Sequence, residues 1–370
     1  MVIFRNGEYE RENHLTSTRT LFSFNKWLYG KEIRGSKFMD KSEIFHYHIL
    51  KYGGIYLLDK NSDDIYISDL LEDSNKIING LISKNNKLPS VYIGIINNQN
   101  TNACAFSKNN QYYIGIMKGT INKYKEFIDS YMDNLKGKTL RILKQDNIEN
   151  YKAIFLLYAV RFTIFHEYGH IVNGHCNFKK SINKYDFNFE ISNADYSNSK
   201  NIDSQTREMD ADTFSIKKCI DQIFTSEELK CLEKYGIKDY SIDELLICLS
   251  CSTYIMFSVF TKSKYDLTKL ENNSHPPLGI RQTHTITSTL IEYIYDVWNF
   301  DMNIQKFMND FRGDFEIITI LSDLQKKDST LMIIAYSNEG KEHMHKILNN
   351  WENIRQELLP FSHVELDPTL

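Results

Sequence analysis

The chain has 370 residues, 42% of them hydrophobic, which is enough for one large domain or two ordinary ones with a substantial core. With 44 basic and 48 acidic residues and a net charge near −4, it has neither a global basic field for nucleic acid nor an acidic solvating tail. The six cysteines, at 104, 176, 219, 231, 248 and 251, are too few and too scattered for a disulfide framework.

Taken in chain order, the first residues, Met-Val-Ile-Phe-Arg-Asn-Gly-Glu, carry no signal-peptide core. With the cysteine pattern, this makes a reducing cytoplasm the expected location. From Phe45 to Gly119, β-rich runs (Gly54 to Leu58, Ser90 to Ile96, Asn102 to Phe106, Gln111 to Met117) alternate with a helical pattern at Ile65 to Ile82 and with turn residues such as Lys108 to Asn110. From Lys123 the periodicity becomes helical: Tyr124 to Leu135, Ile148 to His175, Thr206 to Ile223, Ile242 to Thr261, Thr285 to Trp298 and Leu331 to Leu359. No internal repeat is visible. A small, mostly antiparallel sheet followed by helices is an α+β arrangement. Three regions are expected: an N-terminal α/β region at 1–88, a central domain at 89–300 and a C-terminal helical region at 301–370.

The polar stretch Asn177 to Gln205 reads as a long surface loop, of a length uncommon except in functional lids or disordered segments. The apolar run Leu245 to Phe260 has about 16 residues against the roughly 20 a bilayer needs, so it reads as a buried helix and no integral membrane segment is expected. Cys248 and Cys251 inside it read as small core thiols.

His166-Glu167-Tyr168-Gly169-His170 is an H-E-x-x-H sequence on the helical run. Residues four apart share a helix face, so His166 and His170 can present two imidazoles to one metal ion with Glu167 beside them. A hydrolytic zinc needs a third protein ligand. The three-histidine extension is missing, because Asn173 stands at its glycine position and Cys176 at its histidine position. His175 comes one residue early; on a continuous helix it is rotated off the metal face and reads as a polar residue favoured by the helix C-terminus. Downstream, Arg207-Glu208-Met209-Asp210-Ala211-Asp212 places Glu208 and Asp212 on one face of the next helix. One of these carboxylates can bind metal while the other orients a ligand imidazole through its second ring nitrogen.

With these residues in view, the chain resembles the gluzincin metallopeptidases of the CAAX prenyl protease and heat-shock HtpX type. The resemblance rests on Asn102-Ala103-Cys104-Ala105, the strand from Tyr112 to Gly119, the helix from His166 to His175, Glu208 to Asp212, and His275-Pro276-Pro277 with Arg281. It covers roughly residues 90 to 281, and the absence of spanning helices makes this a soluble variant. An extra stretch of about 45 residues, including Tyr124 to Leu135, separates Gly119 from His166.

The resemblance implies a zincin core in which His166, His170 and Glu208 hold Zn2+, Glu167 is the general base and Asp212 orients a zinc histidine. It also implies that His275 or Arg281 donates to the oxyanion, and that the strand carrying Tyr113, Gly115 and Met117 is an edge strand that pairs with an extended polypeptide substrate. Gly169 is expected to pack closely against the sheet. The implied activity is that of a zinc-dependent endopeptidase. Two alternatives stand beside it. One is a catalytically restrained or inactive gluzincin fold serving as a binding or regulatory module, against which the intact Glu167 argues. The other is a toxin-like or phage-exclusion protease with a single host target. Nucleic-acid binding through Lys and Tyr has only composition behind it.

Overall fold

The structure, a computed structural model, describes residues 40–58, 64–135, 148–183, 187–189, 201–238, 240–261, 266–298, 309 and 334–370. The chain divides into two compact units, residues 1–44 and 45–370. In the first, the described residues are 40–44, helical from Lys41. All further description concerns the second.

This unit is α+β, as its periodicities require. Helix α1 (Asp64–Lys84) precedes strands β1 (Val91–Ile96), β2 (Ala103–Lys108) and β3 (Gln111–Met117). The hairpin between β2 and β3 turns at Asn109 and Asn110, both in the left-handed region at φ 51° and 58°, which asparagine tolerates better than most residues. A fourth strand, β4 (Phe187–Phe189), adds to β2, and the order across the sheet is β1-β3-β2-β4. The β2–β3 and β2–β4 pairings are antiparallel, whereas β1 and β3 run parallel. The run at Gly54 to Leu58 forms no strand, only an isolated bridge from Ile55 to Ile96.

Helices then take over: α2 (Lys118–Leu135), α3 (Ile148–Val172), α4 (His175–Asn183), α5 (Asn201–Ile223), α6 (Ser226–Lys234) and α7 (Ile242–Phe260). After them come α8 (Leu278–Thr283), α9 (Glu292–Asp296) and α10 (Asn338–Leu358). The helix expected at Thr285 to Trp298 is broken: a π-wound stretch, His284–Ile291, links α8 to α9. Of the helix expected at Leu331 to Leu359, residues 331–333 lie outside the described residues. Of the polar stretch from Asn177 to Gln205, residues 177–183 lie in α4, 187–189 form β4 and 201–205 open the helix Asn201–Ile223; residues 184–186 and 190–200 lie outside the described residues.

Helix α3 is the axis of the fold. It is apolar on every side, the pattern of a helix enclosed by others, and Tyr151, Phe155, Tyr158, Phe162, Phe165 and Tyr168 along it are all fully buried. It packs between α5, α7 and the β2 side of the sheet. Tyr124 of α2 shares a hydrogen bond with Thr163 at 2.7 Å, and Tyr168 Oη donates to the Pro89 carbonyl at 3.1 Å. Arg161, also fully buried, holds Glu228 through two hydrogen bonds of 2.9 and 2.8 Å and Asp73 at 2.8 Å.

Among the described residues, α7 is the one helix long and apolar enough to cross a membrane, and 83% of its apolar window is buried in the protein. It is a core helix here, started by a capping box in which Ser241 and Glu244 satisfy each other's backbone N–H. Cys248 and Cys251 are buried within it, and burial holds the Cys248 thiol well above its ordinary pKa.

Candidate metal centre

Two buried helices build the site. One turn of α3 brings His166 and His170 together, with ring centroids 4.7 Å apart and Nε2 atoms 3.1 Å apart. Across from them α5 delivers Glu208, whose Oε2 lies 3.2 Å from His166 Nε2 and 3.4 Å from His170 Nε2. One ligand atom from each of the three residues falls within 4.8 Å of the others, and all three are buried. Glu167 is 1% exposed. The close approach of α3 and α5 depends on Gly169. A Cβ there would meet Phe214 at 3.2 Å and the Ala211 Cα at 3.4 Å, so the glycine packs against α5, not against the sheet as expected.

Both imidazoles are braced from behind. His166 Nδ1 lies 2.9 Å from Asp212 Oδ1, and Asp212 is gripped by Arg281, whose Nε and Nη2 each donate at 2.8 Å. Arg281 is only 4% exposed and its guanidinium lies over the Phe257 ring at 4.3 Å. Arg281, expected as an oxyanion donor, makes a forked contact with Asp212 beside His166 Nδ1, whereas the candidate ligand atom of that ring is Nε2.

His170 Nδ1 lies 2.7 Å from His175 Nδ1, and His175 Nε2 lies 3.0 Å from Asp210 Oδ2. Asn173 Nδ2 donates to the same Asp210 oxygen at 2.7 Å. His175 is therefore no bystander at the helix end, as its spacing suggested. Helix α3 stops at Val172 and Gly174 takes φ 88°, so the chain turns back and α4 starts at His175. The signal that could have found it is Asn173-Gly174, a common helix stop, which cancels the rotation counted along an unbroken helix.

Burial sets the electrostatics. It lowers His170 to about 3 against the upward pull of Glu208, and it lowers His175 as well, so both rings are neutral at pH 7. For Glu208, burial pushes upward but is outweighed by His275 and His170 and by the hydrogen bonds from His166 and His170, leaving the carboxylate well below its ordinary range. Neutral imidazoles and an ionised carboxylate are the forms that bind metal. His275 reaches the same cluster from the Pro-bounded segment before α8: its Nε2 is 3.3 Å from Glu208 Oε2 and its side chain is 16% exposed.

The whole constellation lies within residues 94–300, and it is over these residues that the family model Peptidase U49 matches. The chain belongs to the Peptidase U49 family. The match covers more than half of the chain and makes it a peptidase. No curated protein and no solved structure matches it. The U49 match ends before α10 and the C-terminal tail, yet that tail completes the zone around α3. His363 N and Ser362 Oγ donate to the Val172 carbonyl at the helix end, at 2.8 and 3.3 Å, and His363 Nε2 lies 2.9 Å from Tyr112 Oη.

The strand carrying Tyr113, Gly115 and Met117 is not an edge. β3 is bonded to β1 on one side and β2 on the other, so its main-chain groups are already paired and cannot receive a substrate strand. Cys104 of β2 and Cys176 of α4 are buried near Glu167; burial is the main cause that raises both thiols, Cys176 to about 12, so they stay protonated.

Proposed function

We propose that this U49 peptidase is a zinc-dependent endopeptidase of the gluzincin class, with its metallopeptidase domain at residues 89–300. The observation that carries the reading is the convergence of His166 Nε2, His170 Nε2 and a Glu208 oxygen from two buried helices. The donor set fits zinc: two neutral imidazoles and one carboxylate are a recurrent catalytic triplet for it. A second support is that each imidazole's remote nitrogen faces a polar group, Asp212 Oδ1 at 2.9 Å for His166 and His175 Nδ1 at 2.7 Å for His170, as is usual for ligating histidines. A zinc ion held there lowers the pKa of a bound water towards about 7 and polarises a carbonyl.

The protein's own groups supply the rest. Glu167, next to His166 on the ligand helix, takes the proton of the attacking water and passes it to the leaving amine. Asp212, held by Arg281, keeps the His166 ring in the orientation that aims Nε2 at Glu208. His275, at the rim of the cluster, donates to the oxyanion of the tetrahedral intermediate. Burial of the cluster strengthens each of these interactions by excluding water. The substrate is a polypeptide, as for a peptidase.

The test compares wild type with Glu167→Gln. Both should hold about one zinc per chain, while peptide cleavage falls by a factor on the order of 10²–10⁴ in the variant. A search for new protein termini in cells expressing each form identifies the substrate. Turnover retained by Glu167→Gln sinks the general-base role, and full zinc in Glu208→Ala removes the third ligand.

A further inference from the structure

We propose that His175 and Asp210 are positioning residues for His170, forming a two-residue relay that sets the orientation and the proton of this ligand imidazole. The proposal rests on the reading of His170 as a zinc ligand. Its basis is geometric. His170 turns Nε2 towards His166 and Glu208, and when that nitrogen ligates zinc the ring proton sits on Nδ1. That N–H can donate to His175 Nδ1, 2.7 Å away, only if His175 carries its own proton on Nε2, and this nitrogen lies 3.0 Å from Asp210 Oδ2. One tautomer of each ring fits this order, and it ends within ion-pair distance, though not in a well-aligned hydrogen bond, of a carboxylate that Asn173 holds from another direction at 2.7 Å.

The need for an intermediary follows from helix geometry. Asp210 and Asp212 are two residues apart on α5, so their side chains leave the helix about 200° apart and cannot both reach imidazoles on one face of α3. Asp212 contacts His166 directly. His175, redirected by the left-handed Gly174, spans the remaining distance between Asp210 and His170. A single acidic helix thus orients both imidazoles, one directly and one through a second histidine. His175 is fully buried and Asp210 is 6% exposed, so water does not readily substitute for either.

The test uses the full-length protein and zinc alone. Competition with a chromophoric chelator gives the zinc affinity of wild type, Asp210→Asn, His175→Ala and Asp210→Glu, while urea unfolding of the metal-free proteins reads stability. The relay predicts zinc binding weaker by about 10- to 100-fold in Asp210→Asn and His175→Ala, with recovery in Asp210→Glu. A purely structural pair would lower metal-free stability and leave zinc affinity unchanged; that result overturns the proposal. Wild type that takes up no zinc overturns the metal reading, whereas zinc-loaded wild type with unaffected variants overturns the relay alone. If the variants do not fold, long-range ¹⁵N–¹H spectra of histidine-labelled, zinc-loaded wild type decide: the relay requires the Nε2–H tautomer on His175 and Nδ1–H on His170, and the reverse pair refutes it.

Discussion

Arg281 grips Asp212 with two hydrogen bonds of 2.8 Å, and Asp212 in turn touches His166 Nδ1 at 2.9 Å. The guanidinium therefore reaches the candidate metal site through a carboxylate and an imidazole. Removing it leaves Asp212 buried without its cation, a change that costs about 3–5 kcal/mol in comparable pairs. Arg281→Ala should lower the urea midpoint and weaken zinc binding together. Arg281→Lys should recover only part of both, because an ammonium cannot make the forked contact or stack on Phe257. An oxyanion donor would behave differently: kcat would fall while zinc affinity and stability held.

Gly174 sits where α3 ends and the chain reverses towards His175. Its φ of 88° is unfavourable for any side chain, and an added Cβ would lie 2.6 Å from the Phe361 carbonyl carbon. Gly174→Ala should therefore destabilise the protein by more than 1 kcal/mol, on the order of the cost of strained left-handed backbone. It should also weaken zinc binding, because the same turn places His175 behind His170. Chemical unfolding and chelator competition read the two effects; a variant as stable as wild type would mean that the tail and turn simply shift apart.

Arg161 is a cation with no exposed surface on α3, paired with Glu228 and Asp73. Glu228→Gln keeps the shape and removes the charge, leaving Arg161 with Asp73 as its remaining ion-pair partner among the described residues. A loss of about 3 kcal/mol or more is expected. Arg161→Met, which removes the buried charge as well as the fork, should be less damaging when combined with Glu228→Gln than the two single losses added. A double-mutant cycle by urea unfolding measures that difference.

Acid should destabilise the fold well before its carboxylates are protonated. Burial lowers both His284 and His343 from 6.5 to about 4, and each stays neutral in the fold, with His343 Nε2 donating to Gln205 Oε1 at 2.7 Å. Between these values the unfolded chain binds protons that the folded one refuses. Stability is thus fully present above about pH 6.5 and is lost as pH falls towards 4, on the order of 3 kcal/mol for each ring. Urea midpoints measured from pH 7 to 4.5 should fall steeply over this window, and His343→Gln should flatten the slope. A flat profile in wild type would show that these rings are already protonated in the fold.

Much of this was legible in the residues. The helical spacing of His166 and His170 is a local property: four residues make one turn wherever the helix lies, so the pair could be read without knowing its surroundings. The same holds for Glu208 and Asp212, for the Asn109-Asn110 turn and for the exact span of β3. The contact of Arg281 with Asp212, the interior place of β3 and the partner of Gly169 were not legible, because each depends on which element lies alongside. β3 has the composition of a strand, but its neighbours come from a chain reversal and a parallel insertion that no periodicity records.

His175 marks the boundary between the two kinds of information. By itself the sequence determined two imidazoles on one helix face, a glutamate beside them and two carboxylates on the next helix, since i, i+4 geometry needs only the local backbone. Tertiary structure alone decided that Asp212 meets His166, that Asp210 meets His175 and that Arg281 stands behind Asp212. Those contacts depend on how closely two helices approach and on one left-handed turn at Gly174, and neither distance nor chain reversal is encoded in the spacing of residues along a helix.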